Sequence, residues 1–191
     1  MKRNDVGALS PFYSAKDLLR FVPQIEKLAT ITFVQLANVD SSNIHPSFWT
    51  TLIEAIIQRK DEFDGFVVTH GTDTMAYSAS AVSFALRNIP KSIVFTGAQK
   101  PVEDSPSDAV NNLINAVIVA SRFNVGVSIV FGPKILQGNR STKVSESSLD
   151  AFDSPMVAPL GVISLEPSMM ATSHRKYASV SWQHVTFDPE I

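Results

Sequence analysis

The sequence contains no cysteine. That absence excludes a disulfide framework, a thiolate nucleophile and any Cys-based metal site, and it is compatible with the cytoplasm. No apolar run reaches the roughly 18 residues that span a bilayer, so no membrane partner is expected. The basic start, Met1-Lys2-Arg3, leads into no apolar segment and does not read as a secretory signal. Charge is nearly balanced, with a formal net value of −2 at pH 7. Lacking a basic stripe, the chain has no electrostatic footprint for nucleic acid. The histidines, His45, His70, His174 and His184, share no helical metal-ligand spacing, so no metal is expected, and no cofactor. Repeats and low-complexity tracts are also missing.

What is present is an ordinary globular composition: 191 residues, 45% apolar and 18% charged, enough for one substantial core. A short helix is expected over residues 14–22, with Leu18, Leu19 and Val22 on one face and Pro23 ending it. Residues 31–39 form an apolar, β-branched run that reads as a strand closed by the turn residues Asp40, Ser41, Ser42 and Asn43. A helix follows from Pro46 to about Arg59, with Phe48, Leu52, Ile53, Ile56 and Ile57 as its buried stripe. Residues 65–69 and 93–96 are further strands. Between them, Thr72, Asp73 and Thr74 supply cap-type residues for a helix running through Met75, Val82, Leu86 and Arg87. A helix over 108–123 and a strand over 126–131 complete the pattern.

Strands and helices alternate, and the strands are continuously apolar. That predicts an α/β fold: a doubly wound, mostly parallel sheet covered on both faces. After Lys134 the pattern weakens into short strands and loops. Residues 1–167 read as one domain and 168–191 as a connection toward a further one.

In open parallel sheets, ligands bind beyond the carboxyl ends of the strands. Three such ends here carry small polar residues: 39–42, 69–73 and 95–99. Their convergence would bring hydroxyls, a carboxylate and an amide to one edge. Residues 70–73 also open a helix, whose free N–H groups and positive dipole end favour an anion. Gly71 allows close backbone approach. Each feature also has an ordinary reading. Thr72 and Asp73 serve equally as caps, Asp40-Ser41-Ser42 as a turn, His70 as a structural hydrogen-bonding residue and Lys143 as a solvated surface cation. The residues by themselves leave the reaction open.

The segment 64–75, Asp-Gly-Phe-Val-Val-Thr-His-Gly-Thr-Asp-Thr-Met, resembles the second signature of the bacterial-type asparaginases. The resemblance continues through Asp40-Ser41-Ser42, Thr96-Gly-Ala-Gln-Lys-Pro101 and Gly138-Asn-Arg-Ser-Thr-Lys143, then through Phe152-Asp-Ser-Pro155 and Pro159-Leu-Gly-Val162. It spans about residues 7–162 and is closer to the type I, usually cytoplasmic, branch. It implies a flavodoxin-like N-terminal amidase domain that converts L-asparagine to L-aspartate and ammonia through a threonine nucleophile, with L-glutamine a further candidate substrate. Asp40, Ser41 and Ser42 would hold the substrate's α-carboxylate and α-amino group, and Asp73 the α-ammonium. Thr72, Lys143 and Asp73 match the family's triad, with the lysine as base toward the threonine hydroxyl. Gly71 lies at the helix start, and Ala98 with Gln99 matches the backbone element near the side-chain amide.

Two departures from the family pattern set further expectations. The family opens with a strand ending in Thr-Gly-Gly-Thr-Ile-Gly-Met, which carries the acylated threonine. Met1 coincides with the last residue of that motif, so the sheet is expected to lack its first strand. Ala8 stands where many members carry a lid tyrosine, with Tyr13 nearby. At the far end the family's smaller C-terminal domain is not expected within these 191 residues. The 191 residues alone are therefore expected to be inactive, marginally stable and aggregation-prone, and the full-length form to be a homodimer or homotetramer. Two alternatives stay open: a non-catalytic asparagine- or aspartate-binding remnant, and the asparaginase-like subunit of a tRNA amidotransferase.

Overall fold

The computed structural model describes residues 2–3, 9–10, 17, 20–164, 168–169 and 183–184. Its centre is a six-stranded sheet built from β1 (Gly65–Thr69), β2 (Ser92–Thr96), β3 (Val127–Phe131), β4 (Lys134–Gln137), β5 (Gly161–Val162) and β6 (Ser168–Met169). The spatial order is β6-β5-β4-β3-β2-β1. β1, β2 and β3 run parallel, while β4, β5 and β6 add on antiparallel. The parallel part is where α/β crossovers are needed, and three helices supply the covering layers: α1 (Pro46–Arg59), α2 (Met75–Ala85) and α3 (Ala109–Arg122).

Side-chain alternation explains the two faces. Ile93 and Phe95 of β2, with Ile129 and Phe131 of β3, pack against Ile53 and Ile56 of α1 and against Met75, Ala79 and Val82 of α2. Val94 and Val130, one residue out of phase, meet Ala116 and Val119 of α3 on the opposite face. Both β2 and β3 are buried along their whole length. Their unbroken apolar runs follow from being covered twice. The sharp reversal from β3 to β4 takes only Gly132 and Pro133, and Gly132 has φ +55°, a left-handed value that favours glycine.

Two sequence expectations are corrected. α2 stops at Ala85, and Leu86–Arg87 is extended, pairing with Gln183–His184. The cause lies just beyond: Asn88 has φ 58°, and Ile89 precedes a proline, which disfavours helix. Leu86 stays buried although it has left the helix. The second correction concerns residues 31–39, which form no strand. Among the described residues β1 pairs with β2 alone, and a cavity of about 570 Å³ is lined both by Val67, Val68 and Thr69 of β1 and by residues 34–39. A strand is defined by its neighbour. Among the described residues this segment has none, so Val34, Leu36 and Val39 stay exposed. Of the helix expected over 14–22, only 17, 20 and 21 are described as helical. Ala8, Tyr13 and most of 168–191 lie outside the described residues.

Thr142–Lys143 and Phe152–Asp153 form a separate two-stranded antiparallel ribbon. Its anchor is Phe152, fully buried with its ring centroid 4.8 Å from that of Phe131. Because Phe152 is directly paired with Lys143, this packing fixes where the lysine begins. Phe152→Ala should therefore lower stability by about 3–5 kcal/mol, as is typical for a large core truncation. Urea unfolding measures it, and a loss below about 1 kcal/mol would show that the ribbon is held elsewhere.

Candidate active site

Parallel pairing brings the ends of β1 and β2 to the same edge. The ladder continues one step past both strands, with the His70 N–H donating to the Thr96 carbonyl at 2.9 Å. Beyond that point the backbones crowd. A Cβ on Gly97 would lie 2.2 Å from the His70 carbonyl oxygen, and one on Gly71 would lie 2.6 Å from the Ser41 hydroxyl oxygen. No side chain fits at either place. Glycine is what lets the turn at Ser41 and the two strand ends meet.

His70 is fully engaged in structure. Its Nδ1 lies 2.7 Å from the Gly71 carbonyl, which can only accept, so Nδ1 carries the proton. Its Nε2 then accepts from the Ser78 hydroxyl at 2.9 Å, and that hydroxyl accepts in turn from the Trp49 indole at 2.9 Å. Burial pushes the His70 pKa below its ordinary value, although the bond to Gly71 opposes the shift. The ring is therefore a neutral strut between β1, α1 and α2. It has no nitrogen left to serve as a base.

Thr72, Asp73 and Thr74 do not cap α2. Thr74 occupies the cap position, yet no side chain bonds the helix N–H groups there. All three side chains reach outward instead. Thr72 donates its hydroxyl to Gln99 Oε1 at 3.0 Å, Asp73 meets Lys143, and Thr74 donates to the Ser41 carbonyl at 2.7 Å. Residues that look like a cap in sequence tie three segments together. Asp40 makes the turn expected of it, accepting from the Ser42 N–H at 2.8 Å.

Lys143 arrives from the ribbon with its side chain only 10% exposed, and its Nζ lies 2.6 Å from Asp73 Oδ1 and 2.5 Å from Glu146 Oε2. Burial of the stem disfavours the charge, but the hydrogen bonds and charges of Asp73 and Glu146 outweigh it. Together they raise the pKa of the ammonium above its ordinary value. Thr72 is bonded to Gln99 rather than to Lys143, so the pair that the resemblance treats as base and hydroxyl share the cavity without a direct bond. Asp40, Ser41, Gly71, Thr72, Asp73, Ala98, Gln99 and Lys143 all line the cavity; Ser42 does not.

Sequence reasoning missed three residues. Asp108, one position before α3, accepts from the backbone N–H groups of Gln99 and Lys100 at 3.0–3.1 Å. Asn112, buried one turn later, joins Asp108 to the Gly97 carbonyl and accepts from the Gly132 N–H, each at 2.9 Å. The Gln99 N–H is thus taken up by Asp108 and is not free for a ligand. An Asp four residues before an Asn at a helix start was the available signal. Glu146 is the third, and it had no signal beyond its place three residues after Lys143. Among the described residues, no group of His, Asp and Glu could hold a metal ion, and no helix is long and apolar enough to cross a membrane.

The strut at His70 has a pH consequence. Its pKa is depressed in the fold, so as pH falls below the unfolded value near 6.5 the unfolded chain takes up the proton first. His70 should thus cost the fold stability below pH 6.5, by at most about 1.4 kcal/mol per pH unit, and cost nothing above it. Urea midpoints of wild type and His70→Gln at pH 7.5 and 5.5 check this. The gap between the two proteins is expected to narrow at the lower pH, and a constant gap would assign no such role to the ring.

With this geometry in place, comparison with known proteins gives a consistent answer. The family described as Asparaginase, N-terminal matches residues 1–175. L-asparaginase 1 of Escherichia coli K12 is 44% identical over 123 residues, which is 64% of this chain and 36% of that protein. A subunit of the glutamyl-tRNA(Gln) amidotransferase of Saccharolobus solfataricus is 31% identical over 184 residues, covering 92% of this chain and 41% of that one. The crystal structure of L-asparaginase I from Vibrio cholerae superposes with a TM-score of 0.83 at 31% identity, over 97% of this chain and 57% of that one. The chain thus spans between about a third and three-fifths of these three proteins, and it belongs to the asparaginase family.

Proposed function

We propose that the protein is an amidohydrolase that hydrolyses the side-chain amide of L-asparagine, releasing ammonia and L-aspartate. The observation that carries the reading is the meeting of Lys143 with Asp73 at 2.6 Å, on the wall of the cavity that also holds Thr72 and Gln99. These residues come from separate segments and put an amine, a carboxylate, a hydroxyl and an amide on one cavity. Asp73, half-exposed toward the cavity, is the group to take a substrate's ammonium. Ser41 and the turn around it would take the α-carboxylate.

The chemistry then follows from charge. Lys143 is an ammonium while two carboxylates hold it, and an ammonium is no base. A substrate ammonium at Asp73 removes one of those carboxylates from it and brings a second positive charge close, which lowers the lysine pKa. Neutral Lys143 takes a proton from a threonine hydroxyl, whose oxygen attacks the carboxamide carbon. Collapse breaks the C–N bond, ammonia leaves with the returned proton, and water then cleaves the acyl ester. Thr72 lines the same cavity as this lysine and is the threonine of the triad that the resemblance matches, while the family pattern carries its acylated threonine in the opening Thr-Gly-Gly-Thr-Ile-Gly-Met motif. A cytoplasmic location and a homodimer or homotetramer complete the proposal, on the strength of the type I resemblance.

The experiment is ammonia release from L-asparagine and L-glutamine by the complete protein. Thr72→Ala and Lys143→Met are each expected to lower kcat by about 10³-fold or more, since residues that act as a unit fail together. Variants with near wild-type kcat would remove them from the chemistry. Absence of ammonia release from either amino acid would leave a binding protein. Similarity to the amidotransferase supports one other reading, an amidase working beside a tRNA-bound partner. Ammonia release from free amino acids without added RNA or partner would decide against it.

A further inference from the structure

Asp73 is engaged twice over. The reading above gives it a ligand's ammonium, yet its Oδ1 is already 2.6 Å from the Lys143 ammonium. One carboxylate cannot neutralise two cations at once, and a lysine whose side chain is 10% exposed has little water to replace a lost partner. Glu146 stands where a replacement is needed, with Oε2 2.5 Å from the same nitrogen and its own side chain largely in solvent. Its backbone is held on both sides. The Gln99 amide donates to the carbonyls of Ser145 at 3.1 Å and Ser148 at 3.2 Å, and the Ser145 hydroxyl accepts from the N–H groups of Ser147 and Ser148. Gln99 also accepts from Thr72. The loop that carries Glu146 is therefore tied to the same amide as the cavity threonine.

We propose that Glu146 is a positioning residue: it keeps the Lys143 nitrogen at the cavity wall when an incoming ammonium takes over Asp73. This rests on the reading of the cavity as an amino-acid site. In the exchange no covalent bond changes. The ligand ammonium displaces the lysine from Asp73, and the lysine swings onto Glu146 alone. Without Glu146, lysine and ligand compete for one carboxylate. The other charges nearby do not substitute. Asp150 and Asp153, on and beside the paired strand, are bridged to Lys134. Asp40, His70 and Lys100 lie elsewhere on the cavity wall, and among the described residues Asp73 and Glu146 are the carboxylates bridged to Lys143.

The test is calorimetric titration of the full chain with L-aspartate and with succinate, which keeps both carboxylates but lacks the ammonium. Glu146→Gln is expected to weaken L-aspartate three- to tenfold and to leave succinate within twofold. A second readout needs no ligand: the ε-methylene NMR signal of Lys143 should titrate at lower pH in Glu146→Gln than in wild type, because one of its two carboxylates is gone. Equal losses for both ligands, no loss for L-aspartate, or an unmoved lysine titration would each overturn the role of Glu146 while leaving the amino-acid site standing. Wild type that binds L-aspartate no better than succinate would overturn both readings together. Equal urea midpoints of the two proteins confirm that the comparison is between folded molecules.

Discussion

The site's geometry depends on a buried carboxylate, Asp108, which receives backbone N–H groups from Gln99 and Lys100 and the amide of Asn112. Asn112 passes the constraint on, to the Gly97 carbonyl and the Gly132 N–H. The segment after β2 and the turn after β3 are thereby fixed to the first turn of α3. Leaving those donors unsatisfied in a buried place would cost about 1–3 kcal/mol for each group. Gln99 is positioned by this network, and Gln99 in turn orients Thr72 and the loop of Glu146.

Electrostatics and packing divide the work. The hydrophobic layers around β2 and β3 set the sheet, and the ring of Phe152 sets the ribbon. Neither decides the state of Lys143. That is decided by two carboxylates against the cost of burial, and the carboxylates prevail. His70 shows the opposite balance on the same cavity wall, where burial prevails over a single carbonyl bond and the ring is neutral. Two ionisable groups lining one cavity are thus driven in different directions by how many charged partners each has.

Much of this was legible in sequence for a specific reason. β1, β2, β3, α1 and α3 are periodic and covered by neighbours close in sequence, so pattern and structure coincide. The failures share a different cause. Residues 31–39 have the composition of a strand, but pairing is not a property of one segment, and no strand pairs with them among the described residues. Leu86 and Arg87 continue the helical pattern, yet Asn88 and Pro90 forbid the continuation from outside it. At the site, Thr72 and Asp73 were visible as candidates because they sit at a strand end. Asp108 and Asn112 were not, because most of their partners are backbone groups of other segments, and Glu146 was not, because a glutamate three residues after a lysine is an ordinary pattern. Long-range hydrogen bonds leave no periodicity to read.

The start of α2 carries one more consequence. Thr72, Asp73 and Thr74 each point away from the helix they introduce, and its first N–H groups receive no side-chain cap. A helix in this condition has forgone roughly 1 kcal/mol that an ordinary cap contributes. Evolution toward a more heat-resistant chain has that route closed at this position. Any substitution that turned Thr74 back onto the helix would release the Ser41 carbonyl and loosen the turn against Gly71. Adaptation to temperature would have to proceed at the far ends of the helices, away from the edge where the strands finish, so the cavity and this chain's room for stabilisation lie at opposite ends of its elements.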